Sequence, residues 1–267
     1  MMMDVGTFDD ARSGPTDEYI AQSAMLSFAP VNAIHQHVQG FHSYADSRGT
    51  LVPAHHYCAC PKHTGEKALM RQCVIYDSDK ADARLIGVEY IVAEEIFKTL
   101  PEDEKKYWHS HKYEVESGQL VLKTKNWVPG VVEDAAEQAE MKQLHTTYGK
   151  TIHTWAFDEH PDLPLGPPRL MMSFTGDDQV DPQVLETRDK VLGVSTSHKR
   201  ELRSKYLNTT YEPVQGADHW EHTKDKGLAF EAKVVKMEQP KQGSGRMATW
   251  KGQQSLEDVL SSSVKPQ

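Results

Sequence analysis

Two imidazoles two residues apart, His109 and His111, stand in the run YWHSHKYEVESGQL that begins at Tyr107. Side chains alternate between the two faces of a strand, so a strand here puts His109, His111 and Tyr113 on one side, with Trp108 and Glu114 on the other. A His-x-His pair on one face can grip a single ion, and imidazole suits Zn, Fe or Cu. The ordinary alternative is a pair of partly buried histidines bonded to backbone or carboxylate. Two further stretches bear on the choice. Glu89 interrupts the apolar run RLIGVEYIV, and a desolvated carboxylate there needs a metal, a protonated histidine or a guanidinium such as Arg71. His55 and His56 are neighbours in LVPAHHYCAC, so on a strand they face opposite ways and only one of them turns toward a shared site. The expected metal ligands are therefore His109, His111, Glu89 and one of His55 and His56, with Glu114 and Tyr57 as candidate catalytic groups. Two or three imidazoles with one carboxylate leave a position open for water, oxygen or substrate.

Composition narrows the class of protein. The 267 residues suffice for one large domain or two small ones, and the formal net charge of −9 lacks the clustered Lys and Arg that nucleic acid binding needs. HKRELRSK, from His198 to Lys205, is the densest basic run and is expected to be the solvated face of a helix. No apolar run approaches the roughly 20 residues that span a bilayer, and no signal peptide is evident, so a cytoplasmic or peripherally bound protein is expected. Nothing points to a nucleotide cofactor. The three cysteines, Cys58, Cys60 and Cys73, are odd in number and sparse, which fits reduced thiols better than a disulfide framework. Of the 14 histidines, eight fall between His35 and His111, so ligand-capable side chains are concentrated in the first half.

These groups must be carried by secondary structure. Residues 1–27 are a polar arm without period. In Phe28 to Tyr44, Val31, Ile34, Val38 and Phe41 recur at helical spacing, which predicts a core-facing helix with His35 and His42 flanking its buried stripe. Strands are predicted over Leu51 to Cys60, Arg71 to Asp77 and Arg84 to Val92, with a turn or loop from Pro61 to Ala68. A helix over Glu133 to Thr147 is expected to end at Gly149 in a left-handed cap. Thr151 to Asp158 forms a strand bearing His153, and RLMMSFT forms the last one. Asp181 and Pro182 look like the cap and first residue of a further helix. The expected fold is α+β, a mostly antiparallel curved sheet or half-barrel with helices on one face and at the edges. Residues 28–212 would form this single domain, 213–238 an extension and 239–267 a polar tail whose removal leaves the fold intact.

Several blocks carry a resemblance. AHHYCA at Ala54, RQCVIYDS at Arg71, ARLIGVEYIV at Ala83, YWHSHKYEVESGQL at Tyr107, YGKTIHTW at Tyr148 and LPLGPPRLMMSFT at Leu163 together resemble the oil-body-associated protein family, also catalogued as a domain of unknown function. The likeness runs from about His35 to Thr175. It implies association with lipid droplets in plant seeds for some members and implies no reaction. CACPKHTGEKALM is an insertion relative to that pattern.

Three functions compete. The first is a metal-dependent enzyme acting on a small organic or lipid-derived substrate through the His and carboxylate groups. The second is a non-enzymatic lipid-droplet-associated protein with structural histidines. The third is a metal-free enzyme, a cyclase or isomerase, using a histidine and Glu114 for acid–base chemistry.

Overall fold

The computed structural model describes residues 22–60, 70–125, 127–223 and 226–237. The expected arm before residue 22, the loop after Pro61 and the polar tail from Gln239 fall outside the described residues. The chain divides into two compact units, Met1–Phe230 and Glu231–Gln267, and the described part of the second, 231–237, carries neither helix nor strand.

Within the first unit the strands are β1 (Gln36–Tyr44), β2 (Ser47–Ala59), β3 (Met70–Tyr76), β4 (Leu85–Ala93), β5 (His109–Ser110), β6 (Val121–Leu122), β7 (Thr147–His153) and β8 (Arg169–Met172). The helices are α1 (Ala29–Asn32), α2 (Glu94–Lys98), α3 (Glu102–Lys105), α4 (Lys112–Glu116), α5 (Gly130–Leu144), α6 (Pro182–Leu192), α7 (Thr196–Ser204) and α8 (His219–His222). The fold is α+β, but the sheet is a closed six-stranded antiparallel barrel where a half-barrel is expected. The ring runs β1–β2–β3–β4–β7–β8 and returns to β1. Closure follows because both edges of β1 are taken: β2 pairs along it from Gln36 to Tyr44, and β8 pairs with Ser43 and Tyr44. The short strands β5 and β6 extend the wall beside β7 and β1.

Directly paired residues share a face, so the registers sort side chains into inward and outward sets. Val38 pairs with His56, His56 with Ile75, Cys73 with Glu89, Glu89 with Thr151, and Thr151 with Met171. This chain of pairs defines the interior. One apolar cluster, with Val38, Cys58, Cys73 and Ile91, is covered by Val115 and Leu120 and by Met141 and Leu144 from α5. A second, with Tyr44, Val52, Ala54, Ile75, Ile86 and Met171, fills the far end. Along β1, β2 and β4, His42, His56 and Glu89 fall between those two clusters.

The helix expected over Phe28 to Tyr44 is reduced to α1, and the rest is β1. The strand escapes recognition because both of its faces are buried, with no polar alternation to announce it. Outward-facing Phe41 lies in a cluster with Phe174 and Val180, against which Leu185 of α6 packs. Arg188 of α6 donates to Gln39 Oε1 at 2.8 Å. The strand expected from Trp108 onward stops after two residues, where His111 enters the first turn of α4 and takes Tyr113 and Glu114 onto a helix. Gly149 is no helix cap but a residue of β7. Asp181 does cap α6, its Oδ1 accepting from Gln183 N at 2.8 Å, with Pro182 behind it.

Two expectations about charge and sulfur are corrected. Cys58 and Cys73 are register partners on β2 and β3 and form a disulfide, because pairing brings their Cα atoms to 4.1 Å; Cys60 is free. The basic run on α7 is not wholly solvated. Lys199 is buried against Glu133, Asp134 and Glu137 of α5 at 3.0, 2.8 and 2.8 Å. Fully buried Arg203 pairs with Glu137 at 2.8 Å and donates to the carbonyls of Val115 and Leu120. A buried pair of this kind survives because both charges have further hydrogen bonds. Among the described residues no helix is long and apolar enough to cross a membrane.

Candidate functional site

The inward positions of the barrel collect imidazoles around one carboxylate. Glu89 on β4, at 2% exposure, has His56 Nε2 of β2 2.9 Å from Oε2, and His109 Nε2 and His111 Nε2 at 3.3 and 3.2 Å from Oε1. His42 on β1 lies behind them, its Nδ1 3.2 Å from His153 Nε2 on β7. Among the described residues, two groups have ligand atoms all within 4.8 Å of one another: His42, Glu89 and His109, and His109, His111 and Glu114. His109, common to both, is the centre of the cluster.

Of the residues singled out in the sequence, His56, Glu89, His109, His111 and Glu114 come together. His55 and Tyr57 do not, because they occupy the outward parity of β2. His55 Nδ1 meets His37 Nε2 at 3.0 Å, and Tyr57 stacks on the His37 ring at 4.2 Å. Arg71 is not the partner of Glu89; it reaches Glu140 at 2.6 Å and Gln143 at 3.1 Å. His42 and His153 join the site unforeseen. His42 was hidden by the false helical period, although Val38, Gly40, His42 and Tyr44 alternate as a strand requires.

Backbone features hold the arrangement. A Cβ at Gly149 would lie 2.0 Å from Glu89 Oε1 and 2.7 Å from His109 Nε2, so only glycine lets the carboxylate and the imidazole lie over β7. Asp218, with φ 51 in the left-handed region, clamps β5: its Oδ1 accepts from Ser110 N at 2.9 Å, and its own N–H donates to Trp108 O at 3.0 Å. The residue lies more than a hundred positions away in sequence, and nothing in its local run signals this role.

The electrostatics separate the two acids. Burial pushes Glu89 up, but the imidazoles of His56, His109 and His111 set against its oxygens outweigh it and hold the carboxyl well below the usual range. Burial, and then the neighbouring charge of Glu89, push Glu114 well above that range. Burial takes His42 well below the ordinary imidazole value, with His56 and His153 adding to the effect, and lowers His111 against the pull of Glu89. His153 falls to about 3 through burial and the charge of His56. The result is an anionic Glu89 carboxylate beside His42, His111 and His153, which burial drives toward neutrality, the form in which a ring nitrogen ligates. Val38, His42, His56, Glu89, Ile91, His111, Glu114, Leu120 and Leu144 line an inner cavity with about 10 Å³ open to a water-sized sphere, room for about one such sphere. A far larger cavity of about 610 Å³ lies on the outer side of the wall, between α6 and the outward residues Phe41, Pro53 and His55.

Comparison with known proteins adds kinship. The profile of a family described as Protein of unknown function (DUF1264) matches residues 28–207. Oil body-associated protein 1B of Arabidopsis thaliana is 42% identical over 215 residues, covering 80% of this chain and 83% of that protein. The chain belongs to the oil body-associated protein family. Within that family, Oil body-associated protein 1A of Zea mays is 41% identical over 230 residues, 86% of this chain and 90% of its own, and Oil body-associated protein 2A of Zea mays is 40% identical over 200 residues, 74% and 75%. No solved structure is a significant match to the chain. Every ligand-capable residue of the inner cluster, from His42 to His153, lies inside the span matched by the family, whereas the clamp residue Asp218 lies beyond it.

Proposed function

We propose that the protein is a non-enzymatic, peripheral lipid-droplet protein that meets the droplet from the cytoplasmic side. The carrying observation is its 42% identity, over most of both chains, to a protein named for association with oil bodies. Two exposed apolar groups support surface contact: Met25, Leu26, Phe28 and Val31 around α1, and Trp127, Val131 and Val132 at the start of α5. Exposed clusters of this kind mark interaction surfaces more often than solvated ones. The test is flotation of the purified full chain with triacylglycerol emulsions coated by phosphatidylcholine. The protein is expected to rise with the emulsion, and Trp127→Ala combined with Val131→Ser to reduce the floating fraction. Protein that stays in the aqueous layer, both with emulsions and in fractionated cells, refutes the reading.

A second reading, a metal-dependent enzyme acting on a small organic or lipid-derived substrate, draws on one observation, the cluster around Glu89. The space there suits an ion and not an organic substrate, which favours the droplet reading. The metal-free acid–base alternative draws on the same cluster, where Glu114 lies with His109 and His111, and the small cavity disfavours an organic substrate for it as well.

A further inference from the structure

The hydrogen bonding of one threonine fixes what the inner cluster requires. Thr147 Oγ1 donates its single proton to Leu144 O at 2.7 Å. Toward His111 Nδ1, 2.9 Å away, the same oxygen is left to accept. His111 therefore carries its proton on Nδ1, and in the neutral ring Nε2 is a bare lone pair. That lone pair faces Glu89 Oε1 at 3.2 Å, so two acceptors confront each other in a dry interior. Either the ring is protonated or a cation belongs between them.

Two observations favour the cation. His56 Nε2 and His109 Nε2 stand 2.9 and 3.3 Å from the Glu89 oxygens, yet among the described residues neither ring has a hydrogen-bond partner at either nitrogen. Their approach has the distance of a bond without its direction. Finally, ligand atoms around a tetrahedral ion with bonds of about 2.0–2.1 Å lie about 3.3 Å apart. The separations of Glu89 Oε1 from His109 and His111, 3.3 and 3.2 Å, are of that size.

We propose that the barrel encloses one divalent transition-metal ion held by Glu89, His109 and His111, with His42 on β1, whose ligand atom lies within 4.8 Å of those of Glu89 and His109, supplying the fourth ligand. The donor set is nitrogen and oxygen without thiolate, which suits Zn²⁺ or Fe²⁺ and not a soft ion such as Cu⁺. Apolar clusters cover the barrel at both ends, and the cavity has no room for a substrate, so the ion serves the fold: it joins β4 to β5 and ties both to the β1–β2 hairpin. Thr147 is a positioning residue, acting through the orientation of His111. This assignment is independent of the droplet reading, because metal content and flotation are measured separately.

The test is Co²⁺ titration of the untagged full chain after chelator treatment, read by visible absorption and by isothermal calorimetry, with elemental analysis of the protein as purified. One equivalent is expected to bind, and the melting temperature to rise with it. Glu89→Gln and His109→Ala are expected to weaken binding at least about 100-fold, and Thr147→Val about 10- to 100-fold, as for other groups that orient a metal-bound histidine. His55→Ala, on the outer face, leaves affinity unchanged. Wild-type protein that is metal-free as purified and takes up neither Co²⁺ nor Zn²⁺ overturns the proposal. So does an imidazole ¹⁵N spectrum showing His111 doubly protonated at pH 7, or retention of the ion by folded Glu89→Gln and His109→Ala. If either variant fails to fold, Thr147→Val and the wild-type titration carry the decision.

Discussion

Replacing Gly149 by alanine exchanges a hydrogen for a methyl group at a crowded point of the barrel interior. Gly149 is not among the glycines with positive φ, so the backbone accepts alanine, and the smaller conformational entropy of the unfolded chain favours the variant by about 0.4–1 kcal/mol. The new Cβ, however, would lie 2.0 Å from Glu89 Oε1 and 2.8 Å from His109 Cε1. A normal contact requires the Glu89 carboxylate to retreat by more than an ångström and the His109 ring by less. Overpacking of a filled interior costs about 1–3 kcal/mol, and the upper part of that range applies because the displaced atom is a buried carboxylate oxygen with partners to lose. The net expectation is a loss of about 1–2 kcal/mol, or a fall in melting temperature of about 2–8 °C for a chain of this size. Circular dichroism melts at matched concentration measure it. A Gly149→Ala protein that melts at or above wild type would refute the placement of Glu89 and His109 over β7.

Other expectations follow from the polar contacts. Arg203→Ala leaves Glu137 short of a buried partner and frees two carbonyls, costing about 3–5 kcal/mol in urea unfolding, whereas Arg200→Ala breaks an exposed pair with Asp177 and costs under about 1 kcal/mol; equal effects would refute the distinction. Reduction of Cys58–Cys73, or the double replacement by alanine, opens a link of sequence separation 15 and lowers stability by about 3 kcal/mol, which a melt with and without reductant detects. Burial raises Asp218 from 3.8 to about 6. The folded state then holds that proton more tightly than the unfolded one, so the stability it lends is complete below about pH 4 and lost as pH rises through about 6, up to about 3 kcal/mol in all. Asp218→Asn, which keeps an acceptor for Ser110 N, removes that loss. Unfolding at pH 4 and pH 8 should show the variant gaining on wild type at the higher pH, and a constant difference would contradict the assignment.

Much of the wall was legible in the sequence. β3 and β4 announce themselves by β-branched runs, β2 and β8 by apolar residues beside prolines, and Asp181-Pro182 marks the start of α6 by its own chemistry. Glu89 could be recognised as an acid in need of partners. Its partners could not all be named, because parity on a strand is a local rule while the choice of inner face is a property of the closed ring: His56 rather than His55 turns inward only once β1 and β3 flank β2. β1 eludes a periodicity reading for a related reason. Periodicity reports a contrast between two faces, and a strand covered by barrel interior on one side and α6 on the other offers none. The contacts of Asp218 with Ser110 and of Cys58 with Cys73 join elements whose proximity no local pattern encodes.

Closure of the barrel also sets an order of events during synthesis. β1 is the first barrel strand made and can pair with β2 as soon as that hairpin has been translated, but on its second edge, where β6 takes Val38 and Gln39, the Ser43–Tyr44 end waits for Met171 and Met172 of β8. Until then Ser43 and Tyr44 present unpaired backbone, and His42 and His56 lack the walls that bury them. Pairings so far apart in sequence form slowly and leave strand edges open to other chains in the interval. The nascent protein is therefore most vulnerable to aggregation between completion of the β1–β2 hairpin and arrival of β8. A chain truncated before Arg169 should remain in that open state, however well its earlier strands are paired.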